Sequence, residues 1–199
     1  VKIINNPTSI RNISEKLYST LFQKYMPDTI FTKDLNEIKK FFKKNKKMII
    51  KPIHSFGGNN IHLIENTFKN TFISNFIKKH GHIMCQKFLS KIKFGDKRVW
   101  IMNGKICGAI SRIPKEGSFL SNLSKGAKAI SANPNSIELK ISKIIAKNLK
   151  QQNIFFAGID FIDQKLNGDI NVTSPTGLKT LYDLSTINHA KTFWKELKA

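Results

Sequence analysis

Apolar residues recur at helical spacing in several stretches of the chain and alternate or run together in others, and that pattern sketches the elements. Ser14 is placed to cap a helix whose apolar face is Leu17, Tyr18, Leu21, Phe22 and Tyr25, with Pro27 ending it. Asp34 and Glu37 form a start resembling a capping box for a second helix that buries Leu35, Ile38, Phe41 and Phe42. A strand over 48–51, a loop over 54–60 and a strand over 61–64 follow. The pattern then predicts a helix over 72–79 and a strand over 83–88. Stretches 98–102 and 106–110 flank Asn103-Gly104, a hairpin signal. Residues 111–132 are rich in Gly, Ser, Lys and Asn and lack either period over most of their length, so they read as a functional lid loop. Ser136 opens a helix with Ile137, Ile141, Ile144, Ile145 and Leu149 on one face, and a short helix over 189–197 ends the chain. Helices and hairpins without regular βαβ alternation, and without internal repeats, indicate an α+β fold.

The densest chemistry lies between Asp160 and Gly177. Asn167-Gly168 is a two-residue turn signal, and a turn there would pair Leu166 with Asp169. Because strand side chains alternate, Asp160, Asp169 and Asn171 then share one face. Two carboxylates and an amide oxygen on one face suit Mg²⁺, whose remaining ligands are usually phosphate oxygens and waters. Upstream, Lys51 ends a strand and Gly57-Gly58 follows in a loop. A lysine point charge and close-approaching backbone N–H groups are what a phosphate needs. The spacing is not that of a Walker motif. The strand ending in Gln86, Lys87, Phe88 and Leu89 has a backbone edge able to pair with an adenine. Asp96 and Arg98 share a strand face, where the competing reading is a surface ion pair. His54, His62, His80, His82 and His189 show no metal spacing.

Composition narrows the partners. The chain has 199 residues, with 34 Lys+Arg against 13 Asp+Glu and a formal charge of +21. Only Arg11, Arg98 and Arg112 are arginines, and the lysines are dispersed over helix surfaces. Base readout favours the arginine fork, so the charge argues for polyanionic small molecules such as nucleotides and against nucleic acid. Cys85 and Cys107 stand alone, without metal spacing, as in a protein of a reducing, cytoplasmic compartment. No apolar run reaches the length of a membrane span, no signal peptide is recognisable, and no membrane partner is expected. The first residue is Val1, so an upstream portion is expected.

Taken in order, I-N-N-P, S-E-K-L, I-I-K-P, F-G-G, Q-K-F-L, F-G-D-K-R-V, R-I-P and D-I-N-V-T-S-P-T-G resemble bacterial glutathione synthetase, an ATP-grasp ligase, over essentially the whole chain. The resemblance implies two α+β subdomains clasping a nucleotide, divided here into residues 1–85 and 86–199, and lacks the family's N-terminal domain. It implies that Lys16 and Lys51 hold ATP phosphates under the Gly57-Gly58 loop, and that Gln86, Lys87, Phe88 and Leu89 form the adenine hinge. Asp96 would contact ribose and Asn122 the nucleotide from the lid. Arg98 and Arg112 match the acceptor and acyl-phosphate site. Asp160, Asp169 and Asn171 match the ligands of Mg²⁺, with Mn²⁺ as the alternative ion. Ser174, Pro175 and Thr176 match the turn facing the peptide. The implied reaction joins γ-glutamylcysteine and glycine through an acyl phosphate, and a homo-oligomer is compatible with it. Two departures stand out. Asp169 replaces the usual Glu, and Leu120 stands where the family's lid carries an arginine; Lys125 is near enough in sequence to carry that charge but lacks the arginine's fork. They imply slow turnover, which leaves a nucleotide-binding domain with little activity, or another amino-acid or peptide ligase, as alternatives.

Overall fold

The computed structural model describes residues 3–198. A short helix, α1 (Pro7–Asn12), leads into a 3₁₀ stretch, Leu17–Tyr25, kinked at Phe22. The sequence places one regular helix here. Ser14 makes no cap, and the buried Ile13, Phe22 and Met26 dock the segment onto the second half of the molecule.

Four strands then build the first sheet: β1 (Thr29–Thr32), β2 (Met48–Pro52), β3 (His62–Ile64) and β4 (Ile83–Lys87). Their spatial order is β1-β4-β2-β3, with every neighbouring pair antiparallel. Helices α2 (Leu35–Asn45) and α3 (Asn70–His80) cover it, burying Ile38, Phe41, Phe42, Ile73 and Phe76 against Met48, Ile50, Ile64 and Ile83. Full burial of each such side chain contributes about 1.5–3 kcal/mol. Asp34 caps α2 by accepting from the backbone N–H groups of Asn36 and Glu37. Glu37 does not return the bond, because its carboxylate takes the Thr32 hydroxyl instead. The division after residue 85 falls inside β4, where Gln86 still pairs with Thr29 and Ile49.

The second sheet has five strands, β5 (Asp96–Met102), β6 (Lys105–Ile113), β7 (Lys128–Ala132), β8 (Phe156–Ile162) and β9 (Lys165–Asn171), in the order β7-β6-β5-β8-β9. Asn103-Gly104 closes the β5–β6 hairpin as expected, with φ of 48° and 74°. Helix α4 (Ser136–Gln151) opens with a complete capping box between Asn135 and Glu138 and buries Ile141, Ile145 and Leu149 on the sheet. Two short helices, α5 (Leu178–Ser185) and α6 (His189–Lys198), close the chain.

Two expectations fail. The lid is shorter than 111–132, since its two ends pair as β6 and β7 and leave 114–127 as the loop. The β8–β9 turn is not Asn167-Gly168 but Asp163-Gln164, both at positive φ (49° and 66°), with Ile162 paired to Lys165. Leu166 therefore lies opposite Phe161, not Asp169.

Candidate active site

Between the sheets lies a cleft of about 840 Å³. Every residue singled out from the sequence as a site residue lines it except Pro175. That proline packs beneath the turn, where a side chain at Gly158 would meet its ring.

The displaced turn explains how the cleft is built. Pairing of β8 with β9 slips between Ile159 and Phe161, so Asn167, Gly168 and Asp169 bulge against the single residue Asp160. Gly168 has φ +89° and lies beside the ends of the Met84 and Met26 side chains. Glycine adopts that φ without strain. The bulge thereby reaches across to the first sheet, where the Lys51 ammonium donates to the Asn167 carbonyl at 3.1 Å.

Lys51 is 1% exposed, and its Nζ lies 3.9 Å from Asp169. Lys16 donates to the Ser55 carbonyl at 2.6 Å and stands 3.5 Å from Asp169. Two ammonium groups thus share one carboxylate. Burial lowers the Lys51 pKa, Asp169 pulls it back up, and Lys16 lowers it further. This end of the cleft is short of negative charge.

On the second sheet, register alone assembles a charge network. Asp96 lies directly across from Arg112, and Arg98 directly across from Asp160. Arg98 donates to both oxygens of Asp160 at 2.8 and 2.7 Å. Arg112 grips Asp96 with Nε and Nη2, and its Nη2 also lies 3.1 Å from Asp160. Burial would raise the Asp160 pKa, but Arg112 and Arg98 outweigh it and hold the carboxyl well below the usual range. Asp96 is pushed up by burial against the pull of Arg112. The competing reading, a surface ion pair between Asp96 and Arg98, does not hold, since Arg98 pairs with Asp160 and Asp96 with Arg112.

The donor set fits a hard cation. A carboxylate offers about four lone-pair positions, and Asp160 has one left on Oδ1 after its three arginine contacts. Asn171 donates its Nδ2 to the Gly158 carbonyl at 3.1 Å, which leaves its side-chain oxygen free. Asp169 completes an all-oxygen set on the expected face. No group of three or more His, Cys, Asp or Glu is placed to hold a metal among the described residues, so an ion here would rely on two carboxylates, an amide and ligand oxygens.

At the hinge, Gln86 turns its side chain inward to Thr29, while Lys87 and Phe88 direct their N–H groups to Asp28 and Lys47. Neither of these N–H groups is then available to a ligand. Phe119 of the lid meets Phe88 edge-on at 6.3 Å. Asn122 presses against Gly58, where any side chain would collide with it. Lys125 is not among the residues that line the cleft. Its Nζ donates to Asn59 at 3.0 Å on the exposed side, whereas Leu120 lines the cleft. At the far end, Ser174 and Thr176 face the cleft, and Gly177 (φ +104°) lies against Trp100.

Sequence reasoning missed the residues that hold this end. Glu15 accepts the backbone N–H groups of Val172 and Thr173 at 2.9 and 3.1 Å. Asn5 satisfies four backbone groups, those of Phe155, Phe156 (twice) and Val172. Both lie in quoted motifs, but no local pattern reveals partners some 150 residues away. Arg11 and His54 also line the cleft. Burial pushes both thiols, Cys85 and Cys107, up to about 12, so neither is a ready nucleophile. No helix among the described residues is long and apolar enough to cross a membrane.

Two antiparallel sheets clasping a cleft with lysines on one wall and carboxylates on the other define the ATP-grasp fold. Solved ATP-grasp ligases superpose on it: D-cycloserine synthetase DcsG has a TM-score of 0.75 at 12% identity, over 99% of this chain and 73% of that one. D-alanine–D-alanine ligase from Bacillus anthracis, complexed with ATP, has a TM-score of 0.66 at 16% identity, over 98% and 67%. The ATP-grasp ligase PsnB, complexed with a phosphomimetic variant of its minimal precursor, Mg and ADP, has a TM-score of 0.71 at 13% identity, over 99% and 62%. At such identities these likenesses speak for the fold alone.

Sequence goes further. Residues 15–186 match the prokaryotic glutathione synthetase ATP-grasp domain, and the chain belongs to that family. It is 37% identical over 190 residues to the glutathione synthetase of Prochlorococcus marinus subsp. pastoris, covering 93% of this chain and 61% of the relative. It is 34% identical over 185 residues to that of Shewanella oneidensis, covering 91% and 58%. The chain thus spans about three fifths of the length of the curated relatives it matches.

Proposed function

We propose that this chain is the nucleotide-binding and catalytic region of a glutathione synthetase. It would use ATP and Mg²⁺ to join the cysteinyl carboxyl of γ-glutamylcysteine to the amine of glycine. The observation that carries this reading is the cleft itself, where Lys16 and Lys51 converge on Asp169 and share the lining with Asp160 and Asn171. The solved ATP-grasp ligases complexed with Mg and ADP or with ATP support the same choice of ligands.

Lys51 and Lys16 hold the phosphates and exchange a shared carboxylate for a fuller complement of negative charge. Asp160, Asp169 and Asn171 would hold the magnesium ion, which offsets the charge of the triphosphate when bound. The peptide carboxylate attacks the γ-phosphorus, ADP leaves, and the acyl phosphate formed is then displaced by the glycine amine with release of phosphate. Arg98 and Arg112, fixed by Asp160 and Asp96, present guanidinium edges to the transferring group without reorganising. Phe119 and Asn122 of the lid help exclude water from the intermediate. Ser174 and Thr176 face the peptide.

A second reading, nucleotide binding with little turnover, draws on Leu120 in the cleft wall and on Lys125, which is occupied by Asn59. Loss of one preorganised charge at a developing oxyanion costs about 10²–10³ in kcat. The test is Mg²⁺-dependent stabilisation by ATP, followed by phosphate release with both co-substrates for this chain and for Leu120→Arg. No ATP response at millimolar concentration in folded protein sinks both readings. ATP binding without turnover, restored by Leu120→Arg, selects the second.

A further inference from the structure

The chain's three arginines are not equivalent. Arg98 and Arg112 have their forks filled by Asp160 and Asp96. Arg11 lines the same cleft, is exposed, and makes no side-chain hydrogen bond or ion pair among the described residues.

Its mounting is unusual for a surface residue. Helix α1, which carries it in its last turn, buries none of its own residues. Its one apolar anchor is the half-buried Ile10, packed against the second core. Polar ties on both sides hold it. Asn5 makes four hydrogen bonds to the backbone of residues 155, 156 and 172 just before the helix. Beyond it, Ile13 is buried in the second core, and Glu15 takes the N–H groups of residues 172 and 173. The segment is thereby bound to the strand end that leads into Ser174 and Thr176. A guanidinium held at that end matches a planar carboxylate through two parallel hydrogen bonds.

We infer that Arg11 recognises a non-reacting carboxylate of a co-substrate and so helps to set specificity for an anionic acyl donor or acceptor. The inference rests on the ligase reading above. Under that reading two such groups exist, the α-carboxylate of the γ-glutamyl residue and the carboxylate of glycine, and the same chemistry would hold either.

The experiment is calorimetric titration of the full chain, saturated with Mg²⁺ and AMPPNP, with four probes. These are γ-glutamylcysteine, its 4-aminobutanoyl-cysteine analogue lacking the α-carboxylate, glycine, and glycinamide. Arg11→Gln is expected to weaken one carboxylate-bearing probe about 10–100-fold, the range for a hydrogen bond between charged groups, and to leave its carboxylate-free analogue unchanged. Arg11→Lys, keeping charge but not the fork, falls between. AMPPNP affinity and melting temperature stay at wild-type values, since the exposed Arg11 side chain makes no hydrogen bond or ion pair among the described residues. Loss confined to γ-glutamylcysteine assigns the γ-glutamyl carboxylate, and loss confined to glycine assigns that of glycine. If wild type binds both co-substrates and Arg11→Gln binds them equally well, this inference is overturned while the ligase reading stands. If wild type binds AMPPNP but neither co-substrate, the ligase reading falls and the assignment falls with it.

Discussion

The two walls of the cleft treat charge in opposite ways. The second sheet satisfies its own charge, since Asp96, Arg98, Arg112 and Asp160 pair within the sheet by register and sum to zero. The first sheet with its leading segment does not. Lys16 and Lys51 divide a single carboxylate at 3.5 and 3.9 Å, distances at which Asp169 acts on them mainly as a diffuse charge. The quartet is therefore held as part of the fold, whereas the two lysines are left short of negative charge. Removing a charge from the quartet should cost stability whatever else it costs, and removing a lysine should cost mainly binding.

The largest effect is expected at Asp160. Asp160→Ala leaves Arg98 without its carboxylate and Arg112 with only Asp96, and breaking a buried pair from one side costs about 3–5 kcal/mol. Urea unfolding measures it. A loss below about 1 kcal/mol would show that the quartet does not support the fold and would end the comparison. Acid sharpens it. The folded-state pKa of Asp160 lies below its ordinary 3.8, so its contribution is fully present above that pH and is lost as the pH falls further, towards the lowered value.

Lys51→Met should do the reverse. It removes a fully buried ammonium whose nearest carboxylate stays close to Lys16, so stability should change by less than about 1 kcal/mol or rise. Nucleotide affinity should fall about 10–100-fold, as when a charged hydrogen bond is lost. Lys44→Met, at an exposed pair with Asp28, should change affinity less than about twofold. Equal losses at both positions would mean that the overall field of this basic chain, not a site, attracts the nucleotide.

A smaller effect follows from the lowered Lys51 pKa. Burial takes it below the ordinary 10.5, and phosphate oxygens would raise it again. Between those two values nucleotide binding takes up protons, so affinity falls as the pH rises, by at most about tenfold per pH unit. Calorimetry in buffers of different ionisation heat detects the uptake. Lys51→Arg should abolish it, and an unchanged slope in that variant would assign the proton elsewhere.

Much of this was legible in the sequence, for reasons that differ by wall. The shared face of Asp160, Asp169 and Asn171 follows from alternation and survived a misplaced turn. The bulge shifts the register by an even number of residues, and an even shift leaves every side chain on its face. Asn-Gly is the strongest hairpin signal, yet here it is spent on the bulge, while Asp163-Gln164 makes the turn without a glycine. Lys16 was recognised only by resemblance, since its partners lie in the loop at Ser55 and in β9. The quartet was unreadable because it depends on how β5, β6 and β8 align, and no local pattern fixes that alignment. Strand β7 escaped because it lies at the sheet edge, mostly exposed, and carries no apolar period.

The smallest effect is expected at the lid, which touches both walls. Residues 114–127 hang from the second sheet and reach the first through Phe119 on Phe88, Asn122 on Gly58 and Lys125 on Asn59. The last contact is an exposed neutral–charged hydrogen bond and contributes about 1 kcal/mol at most. Lys125→Ala should leave stability and the initial binding rate of Mg-ATP unchanged and speed its release by no more than about fivefold, since only the closed arrangement uses the bond. Stopped-flow displacement of a fluorescent ATP analogue separates the two rates. A Lys125→Ala effect as large as that of Lys51→Met would mean that Lys125 leaves Asn59 and reaches the phosphates once nucleotide is bound. The lid would then restore the charge that Leu120 lacks, and the division of labour between the two walls would have to include it.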